Sequence, residues 1–189
     1  MLVEKVCIKV GESGKKWELL DYFWPNKNQN TLVANYIGEF DCKLDSKGRL
    51  FLPAKLRSQI PNKSAAAMVV NRGFEKCLVL YTKADWEAET AKLNILNEFN
   101  REARKFIRVF NNGANMVQID NAGRVLLPKK LMDYAGLSGE AVVSAYGSKI
   151  EIWDKKTFVS ELEINADDFA LAAEKMLGAH HNKGNDNDE

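Results

Sequence analysis

Leu44-Asp45-Ser46-Lys47-Gly48-Arg49-Leu50-Phe51-Leu52-Pro53-Ala54-Lys55-Leu56 recurs 75 residues later as Ile119-Asp120-Asn121-Ala122-Gly123-Arg124-Val125-Leu126-Leu127-Pro128-Lys129-Lys130-Leu131. The shared pattern is apolar-Asp-x-x-Gly-Arg-apolar-apolar-Leu-Pro-x-Lys-Leu. Two further matches follow in the same order: Met68-Val69-Val70 with Ala141-Val142-Val143, then Leu78-Val79-Leu80-Tyr81 with Ile150-Glu151-Ile152-Trp153. The offset falls from 75 to 73 to 72, as expected when loops lose residues while strands stay aligned. The chain therefore carries an internal duplication, which fixes how everything else is read.

One unit has a simple local logic. An alternating strand through Phe40, Cys42 and Leu44 (Met116 and Gln118 in the second copy) enters a turn at Asp-x-x-Gly. Aspartate suits the first turn position because its carboxylate bonds backbone N–H groups ahead of it, and glycine supplies the positive φ. A second strand leaves at Arg49 or Arg124. Pro53 and Pro128 stop it, lacking an N–H for a ladder, and open a short helix that holds Leu56 and Ile60, or Leu131 and Tyr134. Two more strands complete the unit. About 40 residues bury too little apolar surface to stand alone, so the two copies should share a core. The expected fold is α+β and mainly β: a pseudo-symmetric β-barrel of two repeats, with connecting and C-terminal helices, closure removing exposed edges.

Between the repeats, Lys83 to Phe110 reads as helical, capped by Thr82 with Asp85 in its first turn. Trp86, Leu93, Leu96, Ala103, Ile107 and Phe110 form the apolar stripe, and one helix or two with a break near Asn97–Asn100 fit equally. Asn111-Asn112-Gly113 carries C-cap chemistry. Thr157 to Leu177 reads as a further helical region broken near Asn165. The expected organisation is residues 1–34 as an N-terminal extension, 35–110 and 111–177 as the two repeats with their helices, and 178–189 as a polar, disordered tail. The extension holds Trp17, Tyr22, Phe23 and Trp24 but no assignable task, and an upstream start site would explain it.

Composition excludes several classes. The net charge of +1 gives no global attraction to a polyanion, so any such site must arise from local clustering. Cys7, Cys42 and Cys77 lack metal or redox spacing and read as reduced thiols. No apolar run reaches membrane-spanning length, and no signal peptide is legible, which points to the cytoplasm. The two histidines, His180 and His181, are adjacent in the tail and make a poor metal site. No base, nucleophile and orienting group come together by spacing, so no enzyme, cofactor or small-molecule substrate is expected.

Two Asp-x-x-x-Arg loops, Asp45 to Arg49 and Asp120 to Arg124, on duplicated hairpins followed by Leu-Pro-x-Lys-Leu, resemble the MraZ family, within the AbrB-like swapped-hairpin group of bacterial transcription factors. The resemblance spans about Asn35 to Leu177, and Leu80-Tyr81 with Asp85-Trp86 fits it. It implies a double-split barrel and a sequence-specific DNA-binding regulator of the cell-division and cell-wall gene cluster, including its own promoter. It also implies repeated operator boxes, a ring-like homo-oligomer and a place on the nucleoid. By position it carries the DNA-binding role to Arg49 and Arg124 and the paired aspartates to Asp45 and Asp120.

The residues support that role on their own terms. An arginine fork matches guanine O6 and N7 or clamps a phosphate, and Gly48 or Gly123 beside it permits close backbone approach. Asp45 and Asp120 should brace the loops and pre-orient the arginines. Lys43, Lys47, Arg49, Lys55 and Arg57 surround the first loop, against Asp41 and Asp45. In the second copy Ala122 replaces Lys47 and Met132 replaces Arg57, so the first loop is expected to bind more strongly. Arg101, Arg104, Lys105 and Arg108 form a rival basic stripe that reads as a solvated helix face. Trp86, Trp153 and Phe158 read as packing residues rather than base-stacking ones. A scaffold without DNA, or an antitoxin-like protein of the same fold class, is the competing reading.

Overall fold

In the computed structural model, residues 35–61 and 67–178 are described. The expectations for residues 1–34, for Cys7, for the tail beyond Gly178 and for His180 and His181 lie outside the described residues. The first repeat supplies β1 (Tyr36–Lys43), β2 (Arg49–Phe51), α1 (Ala54–Arg57), β3 (Ala67–Arg72) and β4 (Leu78–Thr82). The second supplies β5 (Asn115–Gln118), β6 (Arg124–Leu126), α4 (Lys129–Ala135), β7 (Glu140–Gly147) and β8 (Lys149–Asp154). After β4 come α2 (Lys83–Ala91), a 3-10 turn at Lys92–Ile95 and α3 (Arg101–Phe110); after β8 come α5 (Lys155–Glu161) and α6 (Ala166–Gly178).

Six strands form one antiparallel sheet in the order β1-β7-β8-β4-β3-β5. Exchanging each strand for its repeat equivalent reverses that order and leaves it otherwise unchanged. The internal two-fold therefore runs between β4 and β8, which pair through Leu78↔Ile152 and Leu80↔Ile150. The first strand of each unit pairs with the other unit: β1 lies on β7 in register Phe40↔Val143 and Cys42↔Ala141, and β5 lies on β3 through Met68↔Val117. β2 and β6 form a separate two-stranded ladder centred on Leu50↔Val125.

The expected closed barrel is not what forms. β1 and β5 end the sheet at opposite edges, and β2 and β6 pair with each other instead of extending it. The cause is local. Each of β2 and β6 runs only three residues before Pro53 or Pro128 lies within two positions of its end, and proline has no N–H to carry a ladder onward.

The two repeats share one core. Leu50, Leu52, Leu56, Met68 and Leu78 of the first are buried with Val125, Leu127, Leu131, Val143 and Ile152 of the second. Each such side chain contributes roughly 1.5–3 kcal/mol on full burial. A smaller cluster on the opposite side of the sheet holds Val79, Tyr81, Val142, Trp153 and Phe158, with Trp86 packed against it. Trp86 stacks on Phe110 at 5.7 Å and Trp153 meets Phe158 at 5.9 Å, so these aromatics are packing residues as expected.

β5 differs from its sequence reading. Met116 is 66% exposed and Gln118 lies outward, while Val117 faces the core. Val117 is the repeat equivalent of buried Cys42, so Met116 and Gln118 belong to the solvent face. The helical linker resolves into two helices. Asn97 Oδ1 accepts from Phe99 N–H and Asn100 Oδ1 from Glu102 N–H, so the break is made by side chains that satisfy backbone donors outside a helix. Thr82 caps α2 by accepting from Asp85 N–H, and Asn165 opens α6 by accepting from Asp168 N–H.

Candidate nucleic-acid interface

Each Asp-x-x-x-Arg loop is closed by its own aspartate. Asp45 Oδ1 accepts from Lys47 N–H at 2.9 Å and Arg49 N–H at 3.0 Å, and Asp45 Oδ2 accepts from Arg49 Nε at 2.6 Å. Asp120 repeats this with Ala122 N–H, Arg124 N–H and Arg124 Nε, each at 2.9 Å. Gly48 and Gly123 sit at φ +76° and +79°, the left-handed region a tight turn demands of a residue without Cβ. The arginine forks thus leave their loops in a fixed direction, with no further reach needed to order them.

Each loop is also set by the opposite repeat. Leu52 N–H donates to Gly123 O at 2.9 Å, and Leu127 N–H donates to Gly48 O at 3.0 Å. A Cβ on Gly48 would lie 2.7 Å from Met132 Cε, and one on Gly123 would lie 2.6 Å from Arg57 Cζ. Met132 and Arg57 are repeat equivalents, so each unit's short helix covers the other unit's turn.

The β2–β6 ladder then decides what is presented. Leu50 and Val125 point inward and are fully buried. Period-two alternation places Arg49, Phe51, Arg124 and Leu126 together on the outer face, with Arg49 opposite Leu126 and Phe51 opposite Arg124. Diagonal neighbours of this kind lie about 7–8 Å apart. Two braced arginines therefore share one outward ribbon with Phe51 and Leu126, which are 49% and 58% exposed.

The family model described as "MraZ protein, putative antitoxin-like" matches this chain twice, over residues 36–109 and 110–179. The chain belongs to the MraZ family. Three proteins named transcriptional regulator MraZ are similar to it over most of their length. That of Cytophaga hutchinsonii is 41% identical over 142 residues, covering 75% of this chain and 94% of the relative. That of Christiangramia forsetii is 39% identical, covering 77% and 95%, and that of Flavobacterium psychrophilum 37%, covering 79% and 93%. The two MraZ matches fall one on each copy of the duplication.

Not every residue singled out in the sequence gathers at the MraZ loops. Arg49 and Arg124 come together on the ribbon, and Lys47 is exposed at the tip of its turn. Lys55 is exposed on α1. Lys43 closes β1 directly opposite Glu140 of β7, a neighbour that offsets its charge. Arg57, grouped with the first loop by sequence, stands at the second: it covers Gly123, donates from Nε to Leu52 O at 3.0 Å, and lies over the Phe51 ring at 5.7 Å. Lys129, in turn, borders a cleft with Ser46, Lys47 and Gly48 of the first loop. The crossing gives each loop one basic neighbour from the other repeat, so Arg57 no longer distinguishes the first loop, while Lys47 against Ala122 still does. Phe51 and Leu126 were missed. Their signal was the apolar residue two after each motif arginine, on a strand whose intervening residue is core.

Among the described residues no group of three or more His, Cys, Asp or Glu is placed to hold a metal ion, and no helix is long and apolar enough to cross a membrane.

Backbone N–H donation from Arg49 leads in holding the Asp45 carboxyl below its ordinary range, helped by the Arg49 side chain and Lys47 N–H. Asp120 is lowered in the same way, first by Arg124 N–H and then by its side chain. A lowered folded-state pKa stabilises the loop above the unfolded value of about 3.9, and that contribution is lost as pH falls through the folded value. Carboxyl NMR titration should therefore place both midpoints below 3.9. A midpoint at or above it for either residue would mean that its brace does not form in solution.

Proposed function

We infer that this chain is a sequence-specific DNA-binding regulator of transcription whose β2–β6 ribbon enters the major groove. The carrying observation is the shared outward face: two arginines, each fixed by its own aspartate, on a two-stranded ribbon. A major groove about 12 Å wide admits such a ribbon, and a bidentate arginine on guanine is its commonest specific contact. The names of the relatives support a regulator of transcription. In this reading Arg49 and Arg124 contact guanine edges, while Lys47, Arg57, Lys129 and the more remote Lys43 and Lys55 serve phosphates. Asp45, Gly48, Asp120 and Gly123 hold the loops.

Two arginines give a small, salt-sensitive footprint, since each neutralised phosphate adds a slope near −0.9 to log K against log salt. Several copies in a ring on successive boxes multiply that affinity by roughly 10²–10⁴ through effective concentration. Repeated boxes upstream of the protein's own gene and of the cell-division and cell-wall cluster are the targets, reached in the cytoplasm at the nucleoid. An antitoxin-like scaffold without DNA is favoured only by the wording of the family description and leaves the two outward arginines without a task.

Footprinting on the DNA upstream of the protein's own gene, combined with guanine-N7 methylation interference, tests this. The expected result is regularly spaced protection with interference in the major groove of each box. Protection that is uniform along the fragment, or insensitive to N7 methylation, would overturn specific major-groove reading.

A further inference from the structure

The outer face of the β2–β6 ribbon carries two apolar side chains for which the arginines give no reason. Phe51 and Leu126 are exposed, although their chain neighbours Leu50, Leu52, Val125 and Leu127 are all buried. The ladder sets Arg49 opposite Leu126 and Phe51 opposite Arg124, so the face is a block of four. Arginines occupy one diagonal of the block and apolar side chains the other. Each apolar side chain has one arginine directly across the ladder, with Cβ atoms about 4.5–5.5 Å apart. Its second arginine stands two residues along the same strand, about 6.7 Å away. Both apolar side chains are also supported from behind. Arg57 donates from Nε to Leu52 O at 3.0 Å and lies over the Phe51 ring at 5.7 Å. Met132, its repeat equivalent, borders the same cleft as Leu126. A side chain held in this way has little freedom left to lose on contact.

We propose that Phe51 and Leu126 read thymine methyl groups beside the guanines met by Arg49 and Arg124. This rests on the major-groove reading above and adds the bases that the arginines do not specify. Charge selects the occupant of the face. Two copies of it set against each other would bring arginines together, whereas a polyanion is attracted to all of it. The apolar group that base edges present in the major groove is the thymine C5-methyl, and phenylalanine is among the side chains suited to it. Distance then fixes the position. Steps along a DNA strand are about 3.4 Å, so side chains about 5 and 6.7 Å from the two arginines reach thymines within about two base pairs of each guanine. Cytosine at those places would turn its N4 donor toward a side chain that accepts nothing, and a donor buried without a partner is costly.

Uracil interference on the DNA upstream of the protein's own gene tests this. Uracil lacks only the C5-methyl of thymine, so the exchange removes the apolar contact and keeps every donor and acceptor. With the wild type, interference is expected at thymines within about two base pairs of the guanines marked by N7 methylation. In fluorescence anisotropy each methyl removed from one box should weaken binding about 4-fold, the worth of one buried CH₂. Phe51→Ala should erase one set of uracil positions and Leu126→Ala the other, with guanine interference kept in both. The wild-type measurement stands whatever either substitution does to folding. Guanine interference without uracil interference overturns the methyl contacts and leaves the major-groove reading standing. So does uracil interference that persists unchanged in both variants, which would assign the methyls to another part of the protein. Absence of guanine interference with the wild type overturns both.

Discussion

Replacing Arg49 with alanine should remove operator binding while leaving the fold intact. A bidentate arginine–guanine contact is worth about 1–3 kcal/mol of discrimination per site, roughly a 5- to 150-fold loss for each copy engaged. Several copies on successive boxes compound that loss until no shifted band remains at micromolar protein. The side chain is partly exposed and its partner Asp45 is at the surface, so the circular dichroism spectrum should not change. Arg124→Ala should cost less, because Arg57 and Lys129 cross between repeats and offset each other, while Lys47 of the first turn has only Ala122 as its counterpart. Arg49→Lys separates two roles. Lysine keeps the charge but loses the planar fork, so a base-reading arginine is not rescued and a phosphate clamp largely is. Unchanged affinity of Arg49→Ala in fluorescence anisotropy would sink the ribbon as the DNA-contacting element.

What could be read from residues alone follows a physical boundary. Asp-x-x-Gly, the prolines and the alternating apolar runs act within a few positions, so the turns, the strand ends and most strand positions were legible. Thr82 and the Asn97–Asn100 break were legible for the same reason, since capping is local. The duplication exposed the two-fold because a repeat offset survives wherever strands stay in register. Pairing across repeats was not legible: Cys42 meets Ala141 and Met68 meets Val117, and no periodicity distinguishes a partner in one's own unit from its equivalent in the other. The error over Arg57 has this origin. Its sequence neighbours belong to the first loop, but its helix packs across the crossing onto Gly123. Barrel closure failed because it was argued from the need to hide edges, whereas three-residue strands ended by prolines settle the matter locally. The outward pair Phe51 and Leu126 needed the β2–β6 register, which only the fold provides.

Leu50→Ala should be the most damaging single truncation of an apolar side chain at the crossing, and its effect should reach both repeats. Leu50 is fully buried and directly opposite Val125, itself fully buried, at the centre of the ladder that ties the units together. Leucine-to-alanine changes at such sites cost about 2–5 kcal/mol, because the cavity relaxes only in part. Domains of this size hold roughly 5–15 kcal/mol in total, and each kcal/mol moves Tm by about 2–4 °C, so Tm should fall by roughly 4–20 °C. The informative readout is where protection is lost. If β2 and β6 bind the repeats into one cooperative unit, amide exchange should quicken in β7 and β8 as much as in β3 and β4, with a single unfolding transition. Leu50→Ala and Val125→Ala combined should depart from additivity by about 0.5–3 kcal/mol, as residues in contact do. Normal protection in the second repeat beside a weakened first, or strict additivity of the pair, would mean that the repeats fold as separate units. The paired arginines would then ride on two independently moving supports, and the fixed outward face proposed to read DNA would not exist in solution.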